Sequence, residues 1–220
     1  MKNNIVIAID GPSGSGKSTI AKKLAQKLNI LFLSTGSIYR AFGLACKQEN
    51  LDPNSELDMQ KVIKNTVKIE FLNGKQCVFL NSEDVSNQIN NEDIGRYASL
   101  VSKHKVVREK CVEIQRHIAS NQSIVVDGRD IGSVVLPNAD FKFYLDADIT
   151  ERAKRRFKDL TNSGINTTLK EVEDELRERD YNDIHRKLSP LVQAKDAIRI
   201  DSTHLSIDEV VEKFIEIIEK

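Results

Sequence analysis

Residues 11–18 read Gly-Pro-Ser-Gly-Ser-Gly-Lys-Ser, and they follow the apolar run Ile5-Val6-Ile7-Ala8-Ile9. This spacing is that of a phosphate-binding loop of the form G-x-x-x-x-G-K-S, with a predicted strand before it and a helical pattern after it. The three glycines allow the backbone to curl so that its N–H groups surround an anion. The positive end of the following helix is directed at the same anion. The stretch therefore predicts an α/β fold that binds a nucleoside triphosphate.

Two side chains of this loop carry the chemistry of phosphates and metal ions. Lys17 supplies a mobile positive charge for the β- and γ-phosphates, and the Ser18 hydroxyl is a ligand suited to Mg²⁺. We therefore expect Mg²⁺ with ATP as the cofactor. The predicted ATP-binding residues of this stretch are Gly11, Pro12, Ser13, Gly14, Ser15, Gly16, Lys17, Ser18 and Thr19.

The composition of the chain is that of a soluble globular protein. It has 220 residues, of which 40% are hydrophobic and 30% charged, and its 33 basic residues balance 33 acidic ones. A net charge near zero argues against a nucleic-acid-coating protein. Three widely spaced cysteines predict neither a disulfide framework nor a zinc site. We find no signal peptide and no apolar run of about 18 residues, so we expect a cytoplasmic protein without a membrane partner. We also expect a monomer.

Strand and helix patterns alternate along much of the chain. A strand at 5–10 precedes a helix at 17–28, and a short strand at 30–33 precedes a helix that runs through Leu44. This β-α-β-α order predicts a parallel sheet with helices on both sides. Further predicted elements are an amphipathic helix at 104–119 and buried strands at 124–127, 141–146 and 197–201.

Two segments interrupt this alternation. Residues 67–72 and 76–80 alternate between apolar and polar and are joined by Asn73-Gly74, which predicts an antiparallel hairpin insert. Residues 150–186 form a highly charged helical stretch that is broken at 162–164. Two capping boxes are predicted from their spacing, Thr168 with Glu171 and Ser206 with Glu209.

The placement of arginines points to a second phosphate site. The planar guanidinium group suits bidentate binding of phosphate. Arg40 and Arg129 follow predicted strands, and Arg179 and Arg186 flank Asp183. Because ligands bind beyond the carboxyl ends of parallel strands, we expect Arg40 and Arg129 to converge with the phosphate loop. The N-K-x-D segment with which GTP-binding switches read guanine does not occur in the sequence.

Six segments together resemble the bacterial cytidylate kinase family. They are Asp10–Ser18, Thr35–Arg40, Asp127–Gly132, Glu178–Asp180, Ser189–Leu191 and Asp201–Thr203. The phosphate loop is shared by many proteins, whereas the Asp-Gly-Arg-Asp segment, the Tyr-Arg segment and the hairpin insert are more specific in combination. The resemblance implies a three-layer P-loop kinase fold, with a central parallel sheet flanked by helices, a small inserted antiparallel hairpin subdomain and a helical lid.

The resemblance also implies the activity and the domain organisation. The activity is ATP-dependent phosphorylation of CMP and dCMP to CDP and dCDP by direct in-line transfer, a transferase reaction of pyrimidine nucleotide metabolism. The chain would be a single kinase domain in three parts. These are a core of 1–40, 104–149 and 187–220, a monophosphate-binding insert of 41–103 and a lid of 150–186.

Site residues follow from the resemblance position by position. Arg40, Arg129 and Arg186 would bind the phosphate of CMP, and Asp183 would bond the ribose hydroxyls. Arg179 would lie near the transferring phosphoryl group. The implied CMP-binding residues are Thr35, Tyr39, Arg40, Ser99, Arg108, Arg129, Asp130, Asp183 and Arg186, and the implied catalytic residues are Lys17, Arg129, Arg179 and Arg186.

Ser99, Arg108 and Asp130 are the residues that would read the cytosine. A carboxylate can accept from the cytosine amino group, while arginine and serine can donate to N3 and O2. Uracil reverses the polarity at two of these positions, and a site with buried polar groups rejects such a mismatch. In the lid, Arg152, Arg155 and Arg156 would fold over the ATP phosphates, and Arg152 and Arg156 are the implied ATP-binding pair.

Three positions depart from the family pattern. Ser34 stands where an aspartate is common, so a carboxylate that could hold Mg²⁺ through water is missing there. Asp127, at the end of a buried strand, is the remaining candidate for that role, again through water. Ser37 replaces a usual alanine and Ser133 a usual threonine.

Two other functions remain open on the sequence. One is a P-loop kinase for another small acceptor, such as dTMP or a shikimate-like molecule. The other is a non-catalytic nucleotide-binding switch. Asp130 beside Arg129, together with the hairpin insert, favours CMP as the acceptor, and the acceptor-phosphate arginines argue against a switch.

Overall fold

A computed structural model describes residues 4–220, and these residues divide into two compact units. The phosphate-loop unit consists of Ile5–Ile30 and Val125–Lys220, and the insert unit consists of Leu31–Ile124 together with Asn4. The strands are β1 (Val6–Asp10), β2 (Leu31–Ser34), β3 (Val67–Leu72), β4 (Lys75–Leu80), β5 (Glu83–Asp84), β6 (Ile124–Gly128), β7 (Phe141–Asp146) and β8 (Ile198–Asp201). The helices are α1 (Lys17–Lys27), α2 (Gly36–Gln48), α3 (Glu56–Val62), α4 (Glu92–Val101), α5 (Lys105–Ala119), α6 (Ile149–Asn162), α7 (Leu169–His185) and α8 (Ile207–Ile218).

A five-stranded sheet has the strand order β2-β6-β1-β7-β8, in which β7 runs parallel to both β1 and β8. All five residues of β1 are buried, which explains why the first four, Val6–Ile9, are apolar. A second sheet is antiparallel, with the order β3-β4-β5. The α/β fold predicted from the sequence, with a helix-flanked parallel sheet and a small antiparallel insert, is confirmed.

Apolar packing holds α8 to the sheet of the phosphate-loop unit. The ring of Phe143 in β7 stacks on that of Phe214 in α8, with centroids 4.1 Å apart. Lys23 and Lys27 of α1 form exposed ion pairs with Asp208 and Glu212 of α8. Exposed pairs of this kind contribute little, so the buried apolar surface is what holds this layer together.

The helices α6 and α7 pack against each other through their own small core. Its buried members are Ala153, Leu160, Val172 and Leu176. The predicted capping boxes at the starts of α7 and α8 are both present, with Thr168 paired to Glu171 and Ser206 to Glu209. The predicted break at 162–164 is also confirmed, because Gly164 adopts a positive φ of 77° after α6 ends.

The insert unit is built around the predicted hairpin and a pair of helices. Asn73 and Gly74 both have positive φ, at 52° and 73°, as a tight hairpin turn requires. The close approach of α2 and α4 depends on Gly43, because a Cβ there would lie 2.9 Å from the Ala98 nitrogen. Helices α3 and α4 and strand β5 were not predicted from the sequence. Within residues 4–220, none of the helices is long and apolar enough to cross a membrane.

Candidate functional site

The phosphate loop joins β1 to α1, as its spacing predicts. Gly11, Gly14 and Gly16 adopt positive φ angles of 149°, 74° and 90°, which side chains disfavour. At Gly11 a Cβ would also lie 2.0 Å from the Leu145 carbonyl oxygen of the neighbouring strand. The helix begins at Lys17, with Gly16 as its N-cap. The loop therefore presents a helix N-terminus and its unpaired N–H groups to an anion.

Within the loop, side chains differ in exposure. The buried residues are Gly11, Pro12, Ser13, Ser15 and Lys17, the partly buried ones are Gly14 and Gly16, and the exposed ones are Ser18 and Thr19. The ammonium group of Lys17 donates to the Pro12 carbonyl oxygen and, at 3.2 Å, to the Ser15 hydroxyl. Burial and the nearby Arg129 guanidinium lower the pKa of Lys17 well below its ordinary range. A bound polyanion would offset both effects and favour the charged lysine.

A hydroxyl and a carboxylate meet at the start of α1. Ser18 donates a hydrogen bond to Asp127, which lies buried at the end of β6. Both are hard oxygen ligands of the kind that Mg²⁺ prefers. Across the described residues, no group of three His, Cys, Asp or Glu side chains could hold a metal ion. This donor set fits Mg²⁺ that is bound through one or two protein oxygens together with phosphate and water.

Two arginines and two aspartates form an ion-pair cluster beside the loop. Arg129 Nε donates to Asp183 Oδ2 at 2.7 Å. Arg186 lies 3.7 Å from Asp183 through Nη1 and 3.7 Å from Asp130 through Nη2, and its Nε donates to the Ser189 carbonyl oxygen at 2.6 Å. We call Arg129, Asp130, Asp183 and Arg186 the arginine cluster.

The charges of this cluster stabilise one another. Burial raises the pKa of the Asp183 carboxyl, but Arg129, together with Arg186 and Arg179, outweighs burial and holds that pKa below its ordinary value. Burial likewise disfavours the charged form of Arg129, but the attraction of Asp183 raises its pKa overall. Both groups are thus charged at neutral pH, and the arginines are oriented before any ligand arrives.

Arg152 of α6 bonds to the backbone of the phosphate loop. Its Nη1 donates to the Ser13 carbonyl oxygen at 2.7 Å and to Asp180 Oδ2 at 2.6 Å. Its Nε donates to the Ala147 carbonyl oxygen at 2.9 Å. Asp180 of α7 completes the arrangement, because its Oδ1 accepts from the Ser13 N–H at 3.1 Å. Both side chains are buried. The two helices therefore support the loop from outside.

The other arginines singled out in this charged region differ in position. Arg156 and Arg179 are exposed, whereas Arg155 is half-buried and bonds to the Ser202 and Thr203 carbonyl oxygens. The positive charge of Arg179 lowers the pKa of both Lys17 and Asp183. Arg155 has a backbone-bonding role that its sequence position did not reveal.

The insert unit brings together several of the implied CMP-binding residues. Arg40 Nη1 donates to the Ile89 and Asn91 carbonyl oxygens at 2.8 and 2.9 Å. The guanidinium carbon of Arg108 lies 5.8 Å from the centroid of the Tyr39 ring, a cation–π geometry. Within the same unit, Thr35 is the buried N-cap of α2, Ser99 is half-buried on α4, and Arg108 is buried on α5.

Gln76 in the hairpin was not anticipated as part of any site. Its Oε1 accepts from the Ser34 N–H at 2.8 Å, and its Nε2 donates to the Ser34 carbonyl oxygen at 3.3 Å and to the Ser37 hydroxyl. Two of the three serines that depart from the family pattern, Ser34 and Ser37, are thus joined by the side-chain amide of Gln76. No local signal distinguishes Gln76 in the sequence, whereas Asp180 belongs to one of the segments that carry the resemblance.

Known proteins resemble the chain over its whole length. A sequence model of the family described as cytidylate kinase matches residues 7–220. A protein named cytidylate kinase from Caldicellulosiruptor bescii is 45% identical over 217 residues, which cover 98% of this chain and 96% of the relative. Another of that name, from Ligilactobacillus salivarius, is 46% identical over 225 residues, which cover 100% and 99% of the two chains.

Solved structures add a likeness of fold. The structure of TT1252 from Thermus thermophilus aligns with a TM-score of 0.51 at 14% sequence identity, and it covers 99% of this chain and 97% of that one. At this identity the likeness concerns the fold alone.

Proposed function

The chain belongs to the cytidylate kinase family, and from this we propose that it transfers the γ-phosphoryl group of ATP to CMP, and to dCMP, by direct in-line displacement. The observation that carries the proposal is the presence, in one compact unit, of both a phosphate loop and the arginine cluster. A loop alone would suit any nucleoside triphosphate. A second set of oriented arginines suits an acceptor that is itself a phosphate.

The donor side of the reaction is assigned to the loop. Its N–H groups and the start of α1 bind the β-phosphate, and the Lys17 ammonium group stabilises the negative charge that develops on the transferred group. Ser18, with Asp127 through water, would hold Mg²⁺. The chemistry that bound Mg²⁺ would supply is positive charge that offsets the negative charge of the phosphate oxygens. The Ser18–Asp127 hydrogen bond supports this role because it already places two hard oxygens together.

The acceptor side needs positioning more than proton transfer. The nucleophile is a phosphate oxygen of CMP, which is anionic at neutral pH, so no general base is required. Arg129 and Arg186 bind this phosphate and bring it in line with the γ-phosphorus. Asp183 accepts from the ribose hydroxyls, and Arg179 stabilises the transferring group. Their support is the arginine cluster, which is oriented and charged before the substrate binds.

Recognition of the base rests on which side chains of the CMP site donate hydrogen bonds to it and which accept them. Asp130 accepts from the cytosine amino group, and its burial makes a mismatched base costly. For the residues of the insert unit we propose that Arg40 binds the phosphate of CMP, that Ser99 and Arg108 donate to the base, and that Thr35 and Tyr39 line the CMP site. The cation–π arrangement of Tyr39 and Arg108 supports an oriented guanidinium there.

The lid is assigned to residues 150–186. We propose that it closes over both substrates and excludes water, which would otherwise hydrolyse ATP. Arg156 would then bind the ATP phosphates directly. Arg152 would act on them indirectly, through its hydrogen bond to the Ser13 carbonyl oxygen of the phosphate loop. We further propose that the protein acts as a cytoplasmic monomer without nucleic-acid partners.

Transfer of labelled phosphate tests this function against a nucleotide-binding switch. With ATP labelled at the γ-phosphate, Mg²⁺ and CMP, we expect label in CDP and one CDP for each ADP formed. Lys17→Met should bind CMP but lose the transfer. Tight ATP binding with no labelled CDP, or label released only as inorganic phosphate, would overturn the proposal.

A further inference from the structure

Asp10, the last residue of β1, makes two hydrogen bonds that the proposed reaction does not use. Its Oδ1 accepts from the Ile131 N–H at 2.8 Å, and its Oδ2 accepts from the Gly132 N–H at 2.7 Å. The side chain is buried, with 3% of the residue exposed. Among side chains, only a carboxylate offers a separate acceptor oxygen to each of two neighbouring N–H groups.

The two N–H groups begin an unusual turn. Residues Ile131–Val135 form a π-helical turn, in which the Asp130 carbonyl oxygen accepts from the N–H of Val135 at 3.0 Å. Wide turns of this kind are rare and occur often at functional sites. Because the first N–H groups of a helical turn have no partner within it, the Asp10 carboxylate acts as their cap.

In the sequence, Arg129 and Asp130 come directly before the two residues whose N–H groups Asp10 caps. Asp130 is a member of the arginine cluster through Arg186, and Arg129 through Asp183. On the other side of the cap, Asp10 is followed at once by Gly11, the first residue of the phosphate loop. One carboxylate therefore connects the backbone of the donor loop to the backbone that carries the acceptor residues.

The fit at this contact is tight. A Cβ at Gly132 would lie 3.2 and 3.3 Å from Cδ and Cγ of Lys142 and 3.4 Å from Asp10 Oδ2. An added methyl group at Gly132 would force the Lys142 side chain to shift by a few tenths of an ångström, while its distance from Asp10 Oδ2 is that of an ordinary van der Waals contact.

Burial of the Asp10 carboxylate in its charged form costs free energy. Burial raises the pKa of Asp10 to about 6, against the lowering effect of the Gly132 and Ile131 N–H groups. Asp130 raises this pKa further, and Lys17 lowers it. A buried carboxylate is seldom the most stabilising choice. Its presence is accounted for if the precision of the turn matters to function.

We propose that Asp10 is a positioning residue, which fixes Arg129 and Asp130 against the phosphate loop through the Ile131 and Gly132 N–H groups. The inference rests on the proposed function, since it assigns Asp10 to the acceptor side of that same site. Displacements of about 1 Å can reduce catalysis about a hundredfold, so even one lost hydrogen bond should be visible in the kinetics.

The test compares Asp10→Asn with a matched control. Asparagine keeps the size of the side chain but offers one acceptor oxygen, so one of the two N–H groups faces a donor. Asp140→Asn is the control, because Asp140 lies at the other end of β1, where its Oδ2 accepts from the Val6 N–H at 2.8 Å, a bond that an amide oxygen can replace.

Steady-state kinetics of both variants separate acceptor from donor effects. For Asp10→Asn we expect the KM for CMP to rise about tenfold or more, the preference for CMP over UMP to fall, and the KM for ATP to stay within about threefold. Asp140→Asn should change none of these beyond about twofold. An unchanged KM for CMP, or equal rises in both KM values together with a lower Tm, would show a merely structural role and overturn the inference.

A second variant covers the case in which Asp10→Asn does not fold. Gly132→Ala places a methyl group against Lys142 and Asp10 and should produce the same rise in the KM for CMP alone. The wild type is measured first in the same assay. If the wild type does not phosphorylate CMP, the proposed function fails. If it does, and every variant that folds matches it, only the positioning role fails.

Discussion

Arg129 and Asp183 form an ion pair in which Nε lies 2.7 Å from the carboxylate oxygen, with both side chains largely buried. The pair keeps the guanidinium charged and fixed in direction before a substrate is present. In the proposed reaction Asp183 binds the ribose of the same nucleotide whose phosphate Arg129 binds. Preorganisation of this kind reduces the reorganisation that the transition state would otherwise require.

Removal of the Arg129 side chain tests the acceptor role directly. We expect Arg129→Ala to lower kcat/KM for CMP about 100-fold or more, which corresponds to about 3 kcal/mol. The exposed Arg177, which pairs only with Glu173 among the contacts described, provides the control variant Arg177→Ala. An effect below about tenfold, or an equal effect of Arg177→Ala, would remove Arg129 from the acceptor site.

Asp130 should determine the choice of base. Asp130→Asn replaces an acceptor by a group that can also donate, so it no longer penalises the uracil carbonyl. We expect the ratio of kcat/KM for CMP to that for UMP to fall, mainly through the UMP value. The measurement is competition between the two nucleotides in one reaction. Unchanged discrimination would mean that the base is read elsewhere.

Support of the phosphate loop by Arg152 and Asp180 should affect ATP rather than CMP. Asp180→Asn keeps the size of the side chain but weakens its bonds to the Ser13 N–H and Arg152. We expect the KM for ATP to rise about tenfold while the KM for CMP stays within about threefold. Lys154→Ala removes an exposed lysine from the same helix as Arg152 and should have no effect. An ATP KM that stays at the wild-type value would contradict this role.

Asp10 gives the stability of the protein a distinct pH dependence. Its pKa of about 6 lies above the ordinary value of about 3.9. Between these values the folded state binds more protons than the unfolded state, so the free energy of unfolding falls as the pH rises. Asn at this position does not titrate.

The difference between wild type and Asp10→Asn isolates this effect, because all other groups are shared. We expect the unfolding free energy of the wild type, relative to the variant, to fall by on the order of 1 kcal/mol from pH 5 to pH 8. Urea denaturation at several pH values measures it. A difference that stays constant, or that grows with pH, would contradict the assigned titration.

Local signals in the sequence predicted much of the fold. The apolar run before Gly11, the Asn73-Gly74 turn and the two capping boxes act over a few residues, and each is present. Element ends were shifted by a residue or so, since helix α1 ends at Lys27 and β2 begins at Leu31. Fraying makes such ends hard to predict from sequence.

The structural features that the sequence did not reveal are either short or depend on tertiary contacts. Helix α3 has seven residues and β5 has two, too short for a periodic pattern to identify. The π-helical turn at 131–135 is capped by Asp10, more than a hundred residues away, so no local sequence signal could reveal it. The same holds for the bond of Arg152 to Ser13. The roles of the individual site residues stay predictions.

The identity of the acceptor is the most direct test of this account. Purified protein with ATP and Mg²⁺ is offered CMP, dCMP, UMP, dTMP and shikimate separately, and kcat/KM is measured from ADP formation. We predict that CMP and dCMP are the best acceptors, with UMP well below them and with dTMP and shikimate near the rate without acceptor. A higher kcat/KM for dTMP, UMP or shikimate than for CMP would contradict the account.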